Sequence, residues 1–199
     1  MKKETTKHAQ QIEKIVNVAR TLFAKKGYSD TSLSDIAHEM NFRKASLYYY
    51  FKSKDEILQQ IFKSEWERGE SILDGIPTEL DLEGTLYALA VKHLKAFGAP
   101  KSVEFMKIMI GEGLKNGNIH DRFFEFVGEI SPDEKLLQLI RPKAGKGRTN
   151  EQMFFFLFLF RQSLFSHVLH SRALMSKGPM KVTDEKYMRN LARIFARGC

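Results

Sequence analysis

Within seven residues the chain sets two cations, a serine hydroxyl and two phenols: Arg43, Lys44, Ser46, Tyr48 and Tyr49. Guanidinium and ammonium groups bind phosphate, and all five side chains can hydrogen-bond phosphate oxygens or base edges. Leu47 and Phe51, four apart, share one face of a helix through this stretch and leave the polar groups to the other. A small domain gains nothing structurally by exposing several tyrosines on a nine-residue helix, so the pattern favours contact with nucleic acid over a solvated face. Thr31 and Ser32 could add hydroxyls at the start of an earlier helix, where free amides attract anions, and Lys54 begins a later one within reach of the same phosphates. Tyr50 fits either the core, beside Leu47 and Phe51, or the DNA surface. Elsewhere the chemistry is sparse. His167 and His170 stand three apart with no neighbouring Asp, Glu or Cys to complete a metal set, and Cys199 is the lone cysteine. There is no Gly-x-Ser-x-Gly, no His-Glu-x-x-His and no paired Glu-x-x-His, so neither an enzyme nor a cofactor is expected.

Holding those groups over a duplex requires short helices at a fixed angle. Ile12, Ile15, Val16, Ala19, Leu22 and Phe23 recur at helical spacing and stop at Lys25-Lys26-Gly27, a suitable helix C-terminus. Thr31 or Ser32 can cap a second helix, with Asp35 near its positive end and Leu33, Ile36, Ala37 and Met40 as its buried face. Asn41, which tolerates left-handed backbone, makes the turn into a third helix over 43–51. Ser53 and Glu56 have capping-box spacing and open a fourth helix whose Ile57, Leu58, Ile61, Phe62 and Trp66 face inward. Two short helices joined by a tight turn form the helix-turn-helix, whose second helix enters the major groove.

The rest of the chain also reads as helices, over roughly 80–97, 101–115, 118–130 with an extension toward 140, 150–175 and 183–197. The expected fold is all-α: a helix-turn-helix DNA-binding domain over 8–66, with the motif at about 31–50, joined through the fourth helix to a larger helical domain over 67–199. Met153 to Phe160 is apolar throughout, which predicts a helix buried on every side and partly covered by a second copy of the chain. Twelve of the 16 phenylalanines follow residue 90 and suit a core, an interface or the lining of an apolar cavity. Phe105, Met109, Phe123, Phe126 and Phe158 are the candidate lining residues, and Arg161 is a candidate partner for an anionic ligand group or for an ion pair across a dimer. Glu104, Ile108 and Glu112 share a line that reads as a solvated face, and the four cations of 141–148 read as a solvated loop.

Composition is consistent with this picture. The net charge is +8, half of it on the first 60 residues, which favours a polyanionic partner. The longest apolar run is eight residues, short of the ~18–20 of a membrane span, and the basic start is followed by Gln10, Gln11 and Glu13 rather than by a secretory apolar segment. A cytoplasmic protein with no membrane partner is expected.

From Ile12 to Leu58 the sequence resembles the TetR/AcrR transcriptional regulators. The resemblance lies in Ala19-x-x-Leu22-Phe23-x-x-Lys26-Gly27-Tyr28, Thr31-Ser32-Leu33-x-x-Ile36-Ala37 and Lys44-Ala45-Ser46-Leu47-Tyr48-x-Tyr50-Phe51-x-x-Lys54-x-x-Ile57-Leu58. It departs at Asn41-Phe42-Arg43, where that family usually has Gly-Val at the turn and Ser at the helix start. The resemblance implies a homodimeric repressor on a pseudo-palindromic double-stranded operator, dimerised through the helices near 150–175 and 183–197 and released by a ligand held in the C-terminal domain, for which the late phenylalanines suggest a small hydrophobic effector. The other reading open at this point is a DNA-binding protein whose C-terminal domain serves protein–protein interaction without an inducer.

Overall fold

The computed structural model describes residues 2–116, 118–127, 133–145, 147–174 and 183–198, and among them helices are the only regular elements. They are α1 (Lys2–Lys26), α2 (Leu33–Glu39), α3 (Lys44–Tyr50), α4 (Lys54–Glu70), α5 (Leu82–Phe97), α6 (Pro100–Asn116), α7 (Asn118–Val127), α8 (Asp133–Ile140), α9 (Asn150–Val168) and α10 (Asp184–Gly198). A single 3₁₀ turn, Ser71–Leu73, follows α4, and a wider π turn, Leu169–Leu174, continues α9.

The chain forms two compact units, one of residues 1–66 with 100–128 and the other of 67–99 with 129–199. It changes unit inside α4. Residues 100–128, expected in the C-terminal domain, pack with the first unit because α6 is apolar and polar in register with α1. Ile108, Met109 and Ile119 enter the same core as Ile15, Ala19, Phe23, Ile36, Leu47, Ile57 and Phe62. The line Glu104, Ile108, Glu112 is therefore not a solvated face. Glu112 is only 3% exposed and accepts from the Ser29 hydroxyl at 2.6 Å, while Glu104 accepts from Thr21 at 2.9 Å. Polar residues at helical spacing look solvated in a sequence, and only the partner surface shows that each has a donor.

Deeper in this unit Arg20 is buried, and its guanidinium donates to Glu65, to Ser64 Oγ at 2.7 Å and to the Lys101 carbonyl at 3.0 Å. Ser102 donates to the other Glu65 oxygen at 2.7 Å. A buried charge pair of this kind must be well satisfied by hydrogen bonds to survive desolvation. Here it ties α1, α4 and α6 together.

In the second unit, α5 is capped by Asp81, which accepts from the Gly84 amide at 2.7 Å, and packs against α9 and α10. α9 buries Met153, Leu157, Phe160, Leu164 and Val168, and the Phe195 ring of α10 meets those of Phe156 and Phe160 at 5.2 and 5.3 Å. Within one chain the burial is one-sided: Phe154, Phe155, Phe158, Leu159 and Phe165 are exposed along the opposite flank, the part for which a second copy was the expected cover. By length and composition alone, Asn150–Leu174 is apolar enough to cross a membrane, a test that core helices of soluble proteins also pass.

Three of the four loop cations are not simply solvated, and the fourth, Lys146, lies outside the described residues. Lys143 donates to the carbonyls of Thr78, at 2.7 Å, and Leu80; Arg141 reaches Asn150; and Arg148 reaches the Gly198 carbonyl. His167 pairs with Asp184 at 2.9 Å and stacks on Tyr187 at 3.9 Å. Among the described residues no three His, Cys, Asp or Glu side chains converge on a metal position.

Candidate nucleic-acid interface

The turn between α2 and α3 is set locally. Ser32 caps α2, its hydroxyl accepting from the Asp35 amide at 3.1 Å while the Asp35 carboxylate accepts from the Ser32 amide at 2.8 Å. Hydrogen bonds from the Ser32 hydroxyl and amide, with help from Lys26, hold the Asp35 carboxyl down to about 2, so the box stays intact across the neutral range. Asn41 adopts φ +53, the left-handed conformation its type suggested, and the Phe42 amide closes the turn onto the Ala37 carbonyl at 2.8 Å. Arg43 stands at the N-cap position just before α3 and makes no side-chain cap. The missing Ser is not replaced in that role, and the guanidinium is left on the surface.

Leu47 alone among the α3 residues is buried, so this seven-residue helix is anchored by one side chain on the core and by Phe51 just beyond it. Its outer side carries Arg43, Lys44, Ser46, Tyr48 and Tyr49 together, all exposed, with Tyr49 at 72%. The Lys44 ammonium lies 5.9 Å from the Tyr48 ring centre, one turn along the same helix. Tyr50 is half-buried against the core and meets Tyr49 edge-on at 5.0 Å. The Lys52 ammonium bonds the Tyr48 carbonyl at 3.0 Å, adding a cation at the helix end that the sequence pattern did not single out.

Two expected contacts are turned inward. Thr31 is 2% exposed and donates to the Gly27 carbonyl at 2.7 Å, so its hydroxyl braces the loop before α2. Lys54 donates to the carbonyls of Tyr28, Ser29 and Thr31 at 2.8, 3.1 and 3.0 Å and lies 4.5 Å from the Tyr28 ring centre. An ammonium has three N–H donors, and here all three are taken. The same loop is gripped from α6 and α7: Lys115 bonds Asp30 at 2.8 Å, and Arg122 and the Tyr28 phenol both bond Asp55. Burial, reinforced by the Asp55 carboxylate, pushes the Tyr28 phenol up to about 12 and keeps it a donor. Gly27 turns the chain at φ +99, a conformation other residues rarely adopt. Ser32, Lys44 and Tyr48 line an open notch of about 380 Å³ over this braced loop.

The six candidate ligand residues divide between the units. Phe105, Met109, Phe123 and Phe126 lie in the first. Met109 is buried in its core, and the Phe62 ring meets those of Phe105, Phe123 and Phe126 at 6.1, 5.2 and 6.1 Å. Phe158 and Arg161 lie in the second, Phe158 exposed and Arg161 half-buried. Burial, together with the Arg161 charge, pushes the imidazole of His93 down to about 3.

A short, braced helix thus displays cations, hydroxyls and phenols on one exposed face, groups able to meet DNA phosphates and base edges. Known proteins agree with that use. The family model described as bacterial regulatory proteins, tetR family, matches residues 15–61. The HTH-type transcriptional regulator SrpR of Pseudomonas putida is 30% identical over 139 residues, 65% of this chain and 64% of SrpR, just under two thirds of its length. The uncharacterized HTH-type transcriptional regulator TtgW, also of Pseudomonas putida, is 30% identical over 143 residues, 71% of this chain and 100% of TtgW. Among solved structures, the TetR-family regulator PfmR from Thermus thermophilus shares the fold with a TM-score of 0.62, covering 92% of this chain and 97% of PfmR at 22% identity. With the family model matched over α3 and its flanking helices and a relative of this identity aligned over its whole length, the chain belongs to the TetR family of DNA-binding transcriptional regulators.

Proposed function

We propose that the protein is a homodimeric repressor that binds a pseudo-palindromic operator in the cytoplasm and is released by a small apolar effector. The observation that carries this reading is the outer face of α3, where Arg43, Lys44, Ser46, Tyr48 and Tyr49 are exposed together while Leu47 alone points inward. Arg43, Tyr48 and Tyr49 meet base edges and phosphates in the major groove, and Lys44 and Ser32 hold the flanking backbone. Thr31 and Lys54 act at one remove by fixing the loop that precedes α2. Dimerisation is supported by the exposed Phe154, Phe155, Phe158 and Phe165 of α9, with Ile194 exposed on α10, since clustered apolar side chains of this kind mark interaction surfaces. Two-fold symmetry then presents two α3 helices to half-sites about one helical turn or slightly more apart. The rings of Phe62, Phe105, Phe123 and Phe126, the last exposed, favour an apolar effector. Such a ligand must bind the DNA-free state more tightly, and DNA then weakens the ligand by the same factor.

Fluorescence anisotropy on DNA from upstream of the gene, against a scrambled duplex at several salt concentrations, tests this. Specific binding tighter by about 10³ or more, at one dimer per site, is the expected result. Tyr49→Ala and Lys44→Ala should each weaken the specific complex by about tenfold with unchanged circular dichroism, since both side chains are exposed. Equal binding of both duplexes that vanishes in modest salt would reduce the interaction to charge alone.

A further inference from the structure

Among the described side chains of α1, those of Lys7 to Gln10 are exposed and the first fully buried one is Ile15, so this part of the helix lies outside the core of the first unit. This overhang brings His8 against the reading helix. The imidazole lies edge-on to Tyr50, with ring centres 5.2 Å apart at 69°, and tilted to Tyr49 at 6.0 Å and 49°. Tyr49 and Tyr50 meet each other at 5.0 Å and 90°. Three rings thus close a triangle in which Tyr50 is fixed by the core, His8 comes from a different helix, and Tyr49 projects outward.

The two exposed phenols of α3 are held differently. Tyr48 has Lys44 one turn away on its own helix, whereas Tyr49, 72% exposed, is held by this triangle of rings. A phenol on a seven-residue helix, unrestrained, would sample several rotamers, and binding DNA would have to freeze one of them. Tilted and edge-on ring contacts restrict that choice before DNA arrives.

We propose that His8 is a positioning residue for operator recognition, holding the Tyr49 ring in the rotamer that meets the DNA. This rests on the reading that Tyr49 touches the operator. The contact brings α1 into sequence discrimination without a base contact of its own, because any register that displaces Tyr49 loses the arrangement of all three rings. His8 contributes through its ring, so a benzene ring serves in its place and a methyl group does not.

The test compares His8→Ala, His8→Phe, Tyr49→Ala and the double variant in the full-length protein, titrated on the operator and on a scrambled duplex. His8→Ala should weaken operator binding by about tenfold, leave the scrambled duplex and the salt slope unchanged, and add nothing further in the Tyr49→Ala background. His8→Phe should stay within about twofold of the parent. Full operator affinity in His8→Ala while Tyr49→Ala is impaired would overturn the proposal. So would loss on both duplexes with a shallower salt slope that His8→Phe fails to rescue, which would make His8 a phosphate contact. If Tyr49→Ala itself binds the operator normally, the contact assigned to Tyr49 fails, whatever His8 does. Because His8 is exposed, thermal melting should be unchanged in both of its variants.

Discussion

Lys54 shows how one side chain of the right type in the right place can be committed elsewhere. A lysine opening the helix after the reading helix suggests a phosphate contact, yet its three donors hold the carbonyls of Tyr28, Ser29 and Thr31. Those carbonyls belong to the loop that sets the start of α2, so Lys54 works on the fold of the reading head. Lys54→Met should lower the melting temperature, reflecting about 1–3 kcal/mol lost when the carbonyls lose a charged donor. The slope of log affinity against log salt should stay within a few tenths of the parent. A slope shallower by about one, with melting unchanged, would return Lys54 to the DNA backbone. Thr31 was misleading for the same reason, whereas Ser32, Arg43, Lys44, Ser46, Tyr48 and Tyr49 are exposed because nothing in the core can use them.

Among the elements, the short helices were legible because their signals are local. Ser32 with Asp35, Asn41 at the turn and Leu47 on the core face each act within a few residues, and each stands where its chemistry suggested. α6 was misread because the partners of Glu104 and Glu112 are Thr21 and Ser29, each 83 residues away. α5 holds a further feature without a sequence signal, the buried His93, 7% exposed, whose Nε2 has no hydrogen-bond partner. Its imidazole titrates near 3 when folded against about 6.5 when unfolded, so between these values the unfolded chain binds one more proton than the folded one. Stability should therefore fall as the pH drops below about 6.5, by about 1 kcal/mol per unit from this group. Urea titrations at pH 7, 6 and 5 should show that loss, and His93→Phe should flatten it. An equally steep decline in His93→Phe would assign the acid sensitivity to other groups.

For the whole molecule, the apolar flank of α9 decides the prediction. Phe158 is 46% exposed in the single chain, so Phe158→Asp leaves the fold of the chain intact but sets an unpaired carboxylate in the proposed dimer interface. Sedimentation should show folded monomers, and operator affinity should fall steeply, since one reading helix cannot span two half-sites. A variant that stays dimeric would move the interface away from this flank. In the single chain α9 is buried on one flank and exposed on the other, because a sequence states that a surface is apolar, not whether its cover comes from the same chain.

By itself the sequence determined the all-helical class, the short helix α3 after the Asn41 turn and the polar face on it, because helical periodicity, capping and turn chemistry operate within about one or two turns of chain. Tertiary structure alone decided that residues 100–128 pack with the reading head, that Lys54 and Thr31 brace a loop, that Glu104 and Glu112 meet donors, and that His8 touches Tyr49. Apart from the Thr31 hydrogen bond to Gly27, four residues back, each of these depends on the meeting of two segments that lie tens of residues apart in the chain. No spacing rule within either segment encodes that meeting, since it is set by how whole helix faces fill one core.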